Sequence, residues 1–148
     1  MALSTKQLAK YWSTADVLRK SLDAAEYKHI VLGLVFLKYV SDAFQERREE
    51  LQAAFSDPDS DRYKPDAKRL QGALDDRNYY KEVNVFWVPE SSRWEVIQES
   101  AKQADIANRV DTALYEIEKE NPKLEGIVER RYADARLPAA DLGAVIDL

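Results

Sequence analysis

Residues 23–51 read DAAEYKHIVLGLVFLKYVSDAFQERREEL, the longest helix-forming stretch of the chain. Asp23 and Glu26 stand three apart, as in a capping box, with an acceptor for the first free N–H groups and a carboxylate favoured by the helix dipole. From Ile30 to Leu37 every residue is apolar or glycine. On a helical wheel Ile30, Leu34 and Leu37 cover one side and Leu32 and Phe36 the other, with Val35 and Tyr39 between. A helix that is apolar all round is buried among other elements or spans a membrane. A span needs about 20 apolar residues, and Lys28 and Lys38 bound a much shorter run. The segment is therefore expected to be the central, buried helix of a water-exposed domain, continuing to about Phe55 through the solvated QERREEL.

The rest of the chain supplies packing partners. Thr5 to about Ser21 is expected to form a helix capped by Ser4 and Gln7, with Leu8, Trp12, Ala15, Leu18 and Leu22 on one stripe. Residues 56–66, SDPDSDRYKPD, read as a loop, and a short helix follows near Asp66–Leu74. VNVFWVP mixes β-branched and aromatic residues before Pro89 and suggests a short strand or extended piece near 83–88. Ser92 and Glu95 form a further capping-box pattern, opening a helix that carries Trp94, Ile97 and Ala101. Ile106, Val110, Ala113, Leu114 and Ile117 mark one face of a helix over about Asp105–Glu120, ended by Asn121-Pro122. Residues 139–148 begin one more. The expected fold is mainly α, a single compact helical domain over residues 1–148.

Composition narrows the function. The chain has 148 residues, a net charge of −5 and no cysteine, which excludes disulfides, thiolate catalysis and Cys-based zinc sites. The N-terminus lacks the apolar core of a signal peptide, so cytoplasm is the expected compartment. An acidic total argues against a free-standing nucleic-acid binder. The charge is uneven, however. Residues 1–40 hold Lys6, Lys10, Arg19, Lys20, Lys28 and Lys38 against Asp16, Asp23 and Glu26, a balance of +3, so the remainder carries −8. That asymmetry permits a local basic face.

No catalytic constellation is present. His29 is the single histidine, so a multi-histidine metal site is ruled out, and it reads as a helix-face residue packed against a neighbour. There is no Walker loop and no glycine-rich dinucleotide turn. Acid pairs such as Asp75/Asp76 read as solvated helix ends. Arg19 falls on the apolar stripe of the N-terminal segment, and Lys38 lies one turn beyond Leu34. Each is either an internal ion pair with a nearby carboxylate (Asp23, Glu26 or Asp42) or a cation presented to a partner carboxylate or a phosphate. Arg47-Arg48 and Arg130-Arg131 have the planar fork that suits phosphate, but acids flank both pairs, so a solvated face is the competing reading. Phe86, Trp87 and Trp94 could stack on bases, whereas their apolar neighbours favour core packing.

STADVLRKSLDAAEYKHIVLGLVFLKYVSDAFQERREEL resembles the N-terminal helical domain of the modification subunit of type I restriction–modification systems, an adenine-specific DNA methyltransferase. NVFWVPESSRW and the run from DIANRVDTALYEIEKENPKLEGIVERRY to LGAVIDL extend the resemblance over about residues 12–148. Such subunits continue into a methyltransferase domain that binds S-adenosylmethionine and carries N-P-P-[FY]. Here Asn121-Pro122 is followed by Lys123, so no catalytic, cofactor-binding or metal-binding residue carries over. The resemblance implies a non-catalytic part in assembly with a specificity subunit and a second modification subunit. It also implies a part in enclosing double-stranded DNA while an adenine is flipped out and methylated. The cofactor of the full-length subunit would be S-adenosylmethionine. The candidate DNA or subunit contacts are Lys6, Lys10, Arg19, Lys20, Lys38, Arg47, Arg48, Arg130 and Arg131. The alternative is an autonomous helical DNA-binding or protein-interaction module, and a small complete enzyme is a third.

Overall fold

A computed structural model describes residues 5, 6, 9, 24–126, 132 and 138–147. Six α-helices occur among them: α1 (Ala24–Ser56), α2 (Ala67–Leu74), α3 (Asn78–Lys81), α4 (Trp94–Glu99), α5 (Ile106–Glu120) and α6 (Ala139–Ile146). Single 3-10 turns cover Glu90–Ser92 and Pro122–Leu124. The helix expected over Thr5–Ser21 lies mostly outside the described residues; Thr5, Lys6 and Ala9 are helical.

The 33-residue α1 is the spine, about 50 Å long at 1.5 Å per residue. Its core-facing line runs Ile30, Leu34, Leu37, Ser41, Phe44, Arg48, Leu51 and Phe55, in alternating steps of four and three. All but Arg48 are buried, and Arg48 is half-buried. This period keeps one face of a long helix against its neighbours. Burial is not all round, which corrects the expectation from the apolar run. Leu32 and Tyr39 are 57% and 47% exposed, with half-buried Val35 and Phe36 between them. The reason is geometric: Trp94, Tyr80 and Trp87 meet α1 at Ser41 and Phe44, and Leu32 and Tyr39 lie round the cylinder from that face.

Ile106, Val110, Ala113, Leu114 and Ile117 of α5 are all buried, as their spacing demands. Each large aliphatic contributes about 1.5–3 kcal/mol relative to an exposed position. The last helix docks through Leu142, Val145 and Ile146, and Gly143 lets it approach so closely that a methyl group there would run into the Ala101 carbonyl. Gly33 serves α1 likewise, since a Cβ would meet the Tyr132 ring and hydroxyl. Tyr132 is 1% exposed. Its hydroxyl donates to the Ile30 carbonyl at 2.5 Å and its N–H donates to Asp111 at 3.0 Å, bracing α1 against α5. Burial, with the Asp111 charge second, pushes this phenol's pKa far up.

Candidate interaction surfaces

Two polar residues interrupt the core line of α1, and each is an attachment point. The Ser41 hydroxyl accepts the Trp94 N–H at 2.7 Å, satisfying a free donor at the first position of α4. The capping box expected from Ser92 and Glu95 does not form: Arg93 is the N-cap and gives no side-chain cap bond. Ser92 is instead completely buried, and among the described residues its hydroxyl has no hydrogen-bond partner. A cap from another helix has replaced the local one. Arg48, the second interruption, donates through Nη1 to the Leu74 carbonyl at 3.0 Å and to the Tyr80 hydroxyl at 3.2 Å, and through Nη2 to Asp75 at 3.4 Å.

Arg47 is equally committed. Its Nε donates to the Tyr79 carbonyl at 3.0 Å, Nη1 to Glu50 at 3.1 Å and Nη2 to Glu82 at 2.6 Å. Arg62 joins the same carboxylate at 2.5 Å. The hydrogen bond from Arg62, reinforced by its charge and that of Arg47, holds the Glu82 carboxyl below its ordinary range despite partial desolvation. Adjacent arginines thus clasp the corner between α2 and α3 from two sides. Lys38 pairs with Asp42 one turn on at 2.9 Å, with its ammonium 5.7 Å from the Trp94 ring centre; of the carboxylates within reach, Asp42 is the partner. Lys6 is exposed. Lys10, Arg19, Lys20, Arg130 and Arg131 lie outside the described residues. The structure therefore brings Arg47 and Arg48 together at an internal corner and leaves Lys38 on a separate stretch of α1.

Trp94 is buried and Trp87 joins a core aromatic cluster. Phe44 and Tyr80 stack at 4.9 Å, and Trp87 meets each edge-on at 5.2 Å. Burial raises the pKa of the Tyr80 hydroxyl, with Arg48 opposing. Arg93 sits over Phe44 at 4.8 Å and donates to the Val88 carbonyl at 3.3 Å. Desolvation, then the neighbouring Arg48, lowers its pKa. The signal for Arg93 in the sequence is its place next to Trp94.

Residues 85–89 form neither helix nor strand. Their backbone is held by one side chain: Asn121 Oδ1 accepts the Trp87 N–H at 3.1 Å, and Nδ2 donates to the Trp87 carbonyl at 2.8 Å and to the Ile117 carbonyl at 2.7 Å. The asparagine does for Trp87 what a neighbouring strand would do, and closes the last turn of α5 as well. Below it lies a groove of about 530 Å³ lined by Lys81, Asn84, Val85, Phe86, Glu120, Asn121, Pro122 and Lys123. Among the described residues no cluster of His, Asp and Glu could hold a metal, and no helix is long and apolar enough to cross a membrane.

Residues 9–148 match the family described as the HsdM N-terminal domain. The type I restriction enzyme MjaIX methylase subunit of Methanocaldococcus jannaschii is 32% identical over 137 residues, covering 92% of this chain and 25% of that protein. The chain thus spans about a quarter of the length of the curated relative it matches.

Proposed function

The chain belongs to the HsdM N-terminal domain family, and on that premise we propose that it is a non-catalytic domain of a type I DNA methyltransferase subunit. It supports subunit assembly and the enclosure of DNA for adenine methylation. The observation that carries the reading is the family match over residues 9–148. The site chemistry agrees with it. The described arginines of the Arg47–Arg48 pair are spent on internal carbonyls and carboxylates, which suits a rigid scaffold rather than an active site.

The partners are a specificity subunit, a second modification subunit and double-stranded DNA, all in the cytoplasm. S-adenosylmethionine would be bound by the remainder of the full-length subunit. The four glycines of this chain, Gly33, Gly72, Gly126 and Gly143, stand far apart and do not fit a glycine-rich cofactor turn. No step of methyl transfer is assigned to these residues. DNA contact is phosphate positioning by Lys6, Lys10, Arg19 and Lys20. Lys38 contributes less because Asp42 already neutralises it.

The test mixes this chain with a specificity subunit and follows complex formation by size-exclusion chromatography, with and without duplex DNA. A complex that forms without DNA and gains salt-dependent duplex affinity is expected. Four phosphate contacts give a slope of about −3.6 in log K against log salt. Absence of a complex under both conditions would refute the assembly role, and salt-independent duplex binding would refute the phosphate role. Tight duplex binding by this chain alone would favour an autonomous DNA-binding module.

A further inference from the structure

The groove beneath Trp87 goes beyond this reading and depends on neither DNA nor a methyltransferase. Its first wall is the turn that ends α3. There the Val85 N–H reaches back to the Tyr80 carbonyl and the Asn84 N–H to the Lys81 carbonyl, both at 3.0 Å. Asn84 occupies the left-handed region at φ 58°, the arrangement that closes helices with glycine or asparagine. The other wall is the 3-10 turn Pro122–Leu124. Asn121 fastens the walls together through its three bonds to Trp87 and Ile117, so the groove is preformed and a ligand need not order it.

Its lining has a definite chemistry. Val85 and Phe86 are half-buried and Pro122 is exposed, giving an apolar floor. Lys81 and Lys123 are exposed on the lining. Among the described residues neither ammonium has a salt-bridge partner, whereas the lining carboxylate of Glu120 is taken by Arg77. The groove therefore offers an apolar seat with two positive charges that have no salt-bridge partner among the described residues. A volume of about 530 Å³ falls in the range of specific ligand sites, roughly 300–1,000 Å³.

We propose that this groove docks a short segment of a partner protein in which one large apolar side chain is flanked by carboxylates. The apolar side chain fills the space over Val85, Phe86 and Pro122, and the carboxylates meet Lys81 and Lys123. Charge complementarity selects this occupant. Single-stranded nucleic acid fits less well: base stacking needs an open ring face, whereas Phe86 packs against the core and the chain carries −5 overall.

The experiment uses the whole chain and a panel of fluorescein-labelled hexapeptides with one Leu, Ile, Phe or Trp between Asp and Glu residues. Fluorescence polarisation is read at 50 and 500 mM salt, and amide shifts are followed by NMR. At least one peptide is expected to bind and to shift the amides of residues 84–86, 121 and 123. Affinity should fall at least tenfold with the double variant Lys81→Glu, Lys123→Glu, and also when the peptide acids become amides or its apolar residue becomes serine. The control Lys68→Glu, Lys102→Glu makes the same charge change at exposed positions outside the groove and should cost less than threefold. Circular dichroism and melting curves confirm that both variants fold. Failure of the whole panel to bind at 1 mM, equal losses in the two double variants, or amide shifts elsewhere would overturn the proposal. Tighter binding of an oligo-dT 12-mer at the same amides would overturn it too, assigning the groove to nucleic acid. A failed specificity-subunit complex leaves it standing.

Discussion

Replacing Asn121 by alanine removes the clamp between the 85–89 segment and α5. Three hydrogen bonds are lost, at 2.7, 2.8 and 3.1 Å. At a net 0.5–1.5 kcal/mol each, the loss is about 3 kcal/mol. For a chain of this size that corresponds to a fall in melting temperature of about 6–12 °C. Asn121→Asp is the informative companion. It keeps an acceptor for the Trp87 N–H but loses both donations. It also sets a negative charge against two carbonyls at the C-terminal end of α5, where the helix dipole disfavours it. The aspartate variant should be at least as unstable as the alanine one. Urea unfolding followed by tryptophan fluorescence and circular dichroism measures both, with an unchanged denaturant slope showing that stability alone has changed. A loss below about 0.5 kcal/mol for Asn121→Ala, or a clearly more stable Asn121→Asp, would refute the clamp.

Four further outcomes are expected. Ser41→Ala strands the buried Trp94 N–H and should cost about 1–3 kcal/mol in thermal melts; a neutral change would mean that α4 is capped otherwise. Ser92→Ala removes a buried hydroxyl that has no partner among the described residues and should be neutral or stabilising by up to about 1 kcal/mol, so a comparable loss in urea titration would reveal a hidden partner. Gly143→Ala gains about 1 kcal/mol of helix propensity but drives a methyl into the Ala101 carbonyl, an overpacking cost of about 1–3 kcal/mol or more. Net destabilisation is expected, and a raised melting temperature would contradict the close approach. Glu82 has a carboxyl held below its unfolded value near 4.5 by Arg62 and Arg47. Its contribution is therefore present above that pH and lost as pH falls through the folded value. Wild-type and Glu82→Gln urea midpoints should differ at pH 7 and converge towards pH 3; a gap that widens on acidification would reverse the sign.

Helices whose signals are local are legible in the residues alone. The run Ile30–Leu37 is too apolar to be solvated and too short to span a bilayer, and α1 follows from it. The spacing of Ile106, Val110, Ala113, Leu114 and Ile117 defines one face of α5 from a 3.6-residue period, and all five are buried. Asp66 caps α2 through the Arg69 N–H at 2.8 Å, a bond three residues long. The family was legible too, because its aromatic and charged runs are long enough to be specific.

The pairings that span the chain arise only from packing. Ser41 meets Trp94 across 53 positions, Asn121 meets Trp87 across 34, and Arg48 meets Leu74 across 26. A capping motif at Ser92 is satisfied or displaced according to what α1 places beside it. The residues near 83–88 suited a short strand or an extended piece, and packing decided between them: 85–89 are not a strand, and the Asn121 side chain bonds the Trp87 backbone. Cations that looked available at Arg47 and Arg48 are consumed at a corner, whereas Lys81 and Lys123, unremarked in the sequence, border an open groove. Nor could the apolar run say which of its faces stays in water: Leu32 and Tyr39 do. Local period and capping act over about four residues, while a buried donor takes whichever acceptor the packed helices bring to it.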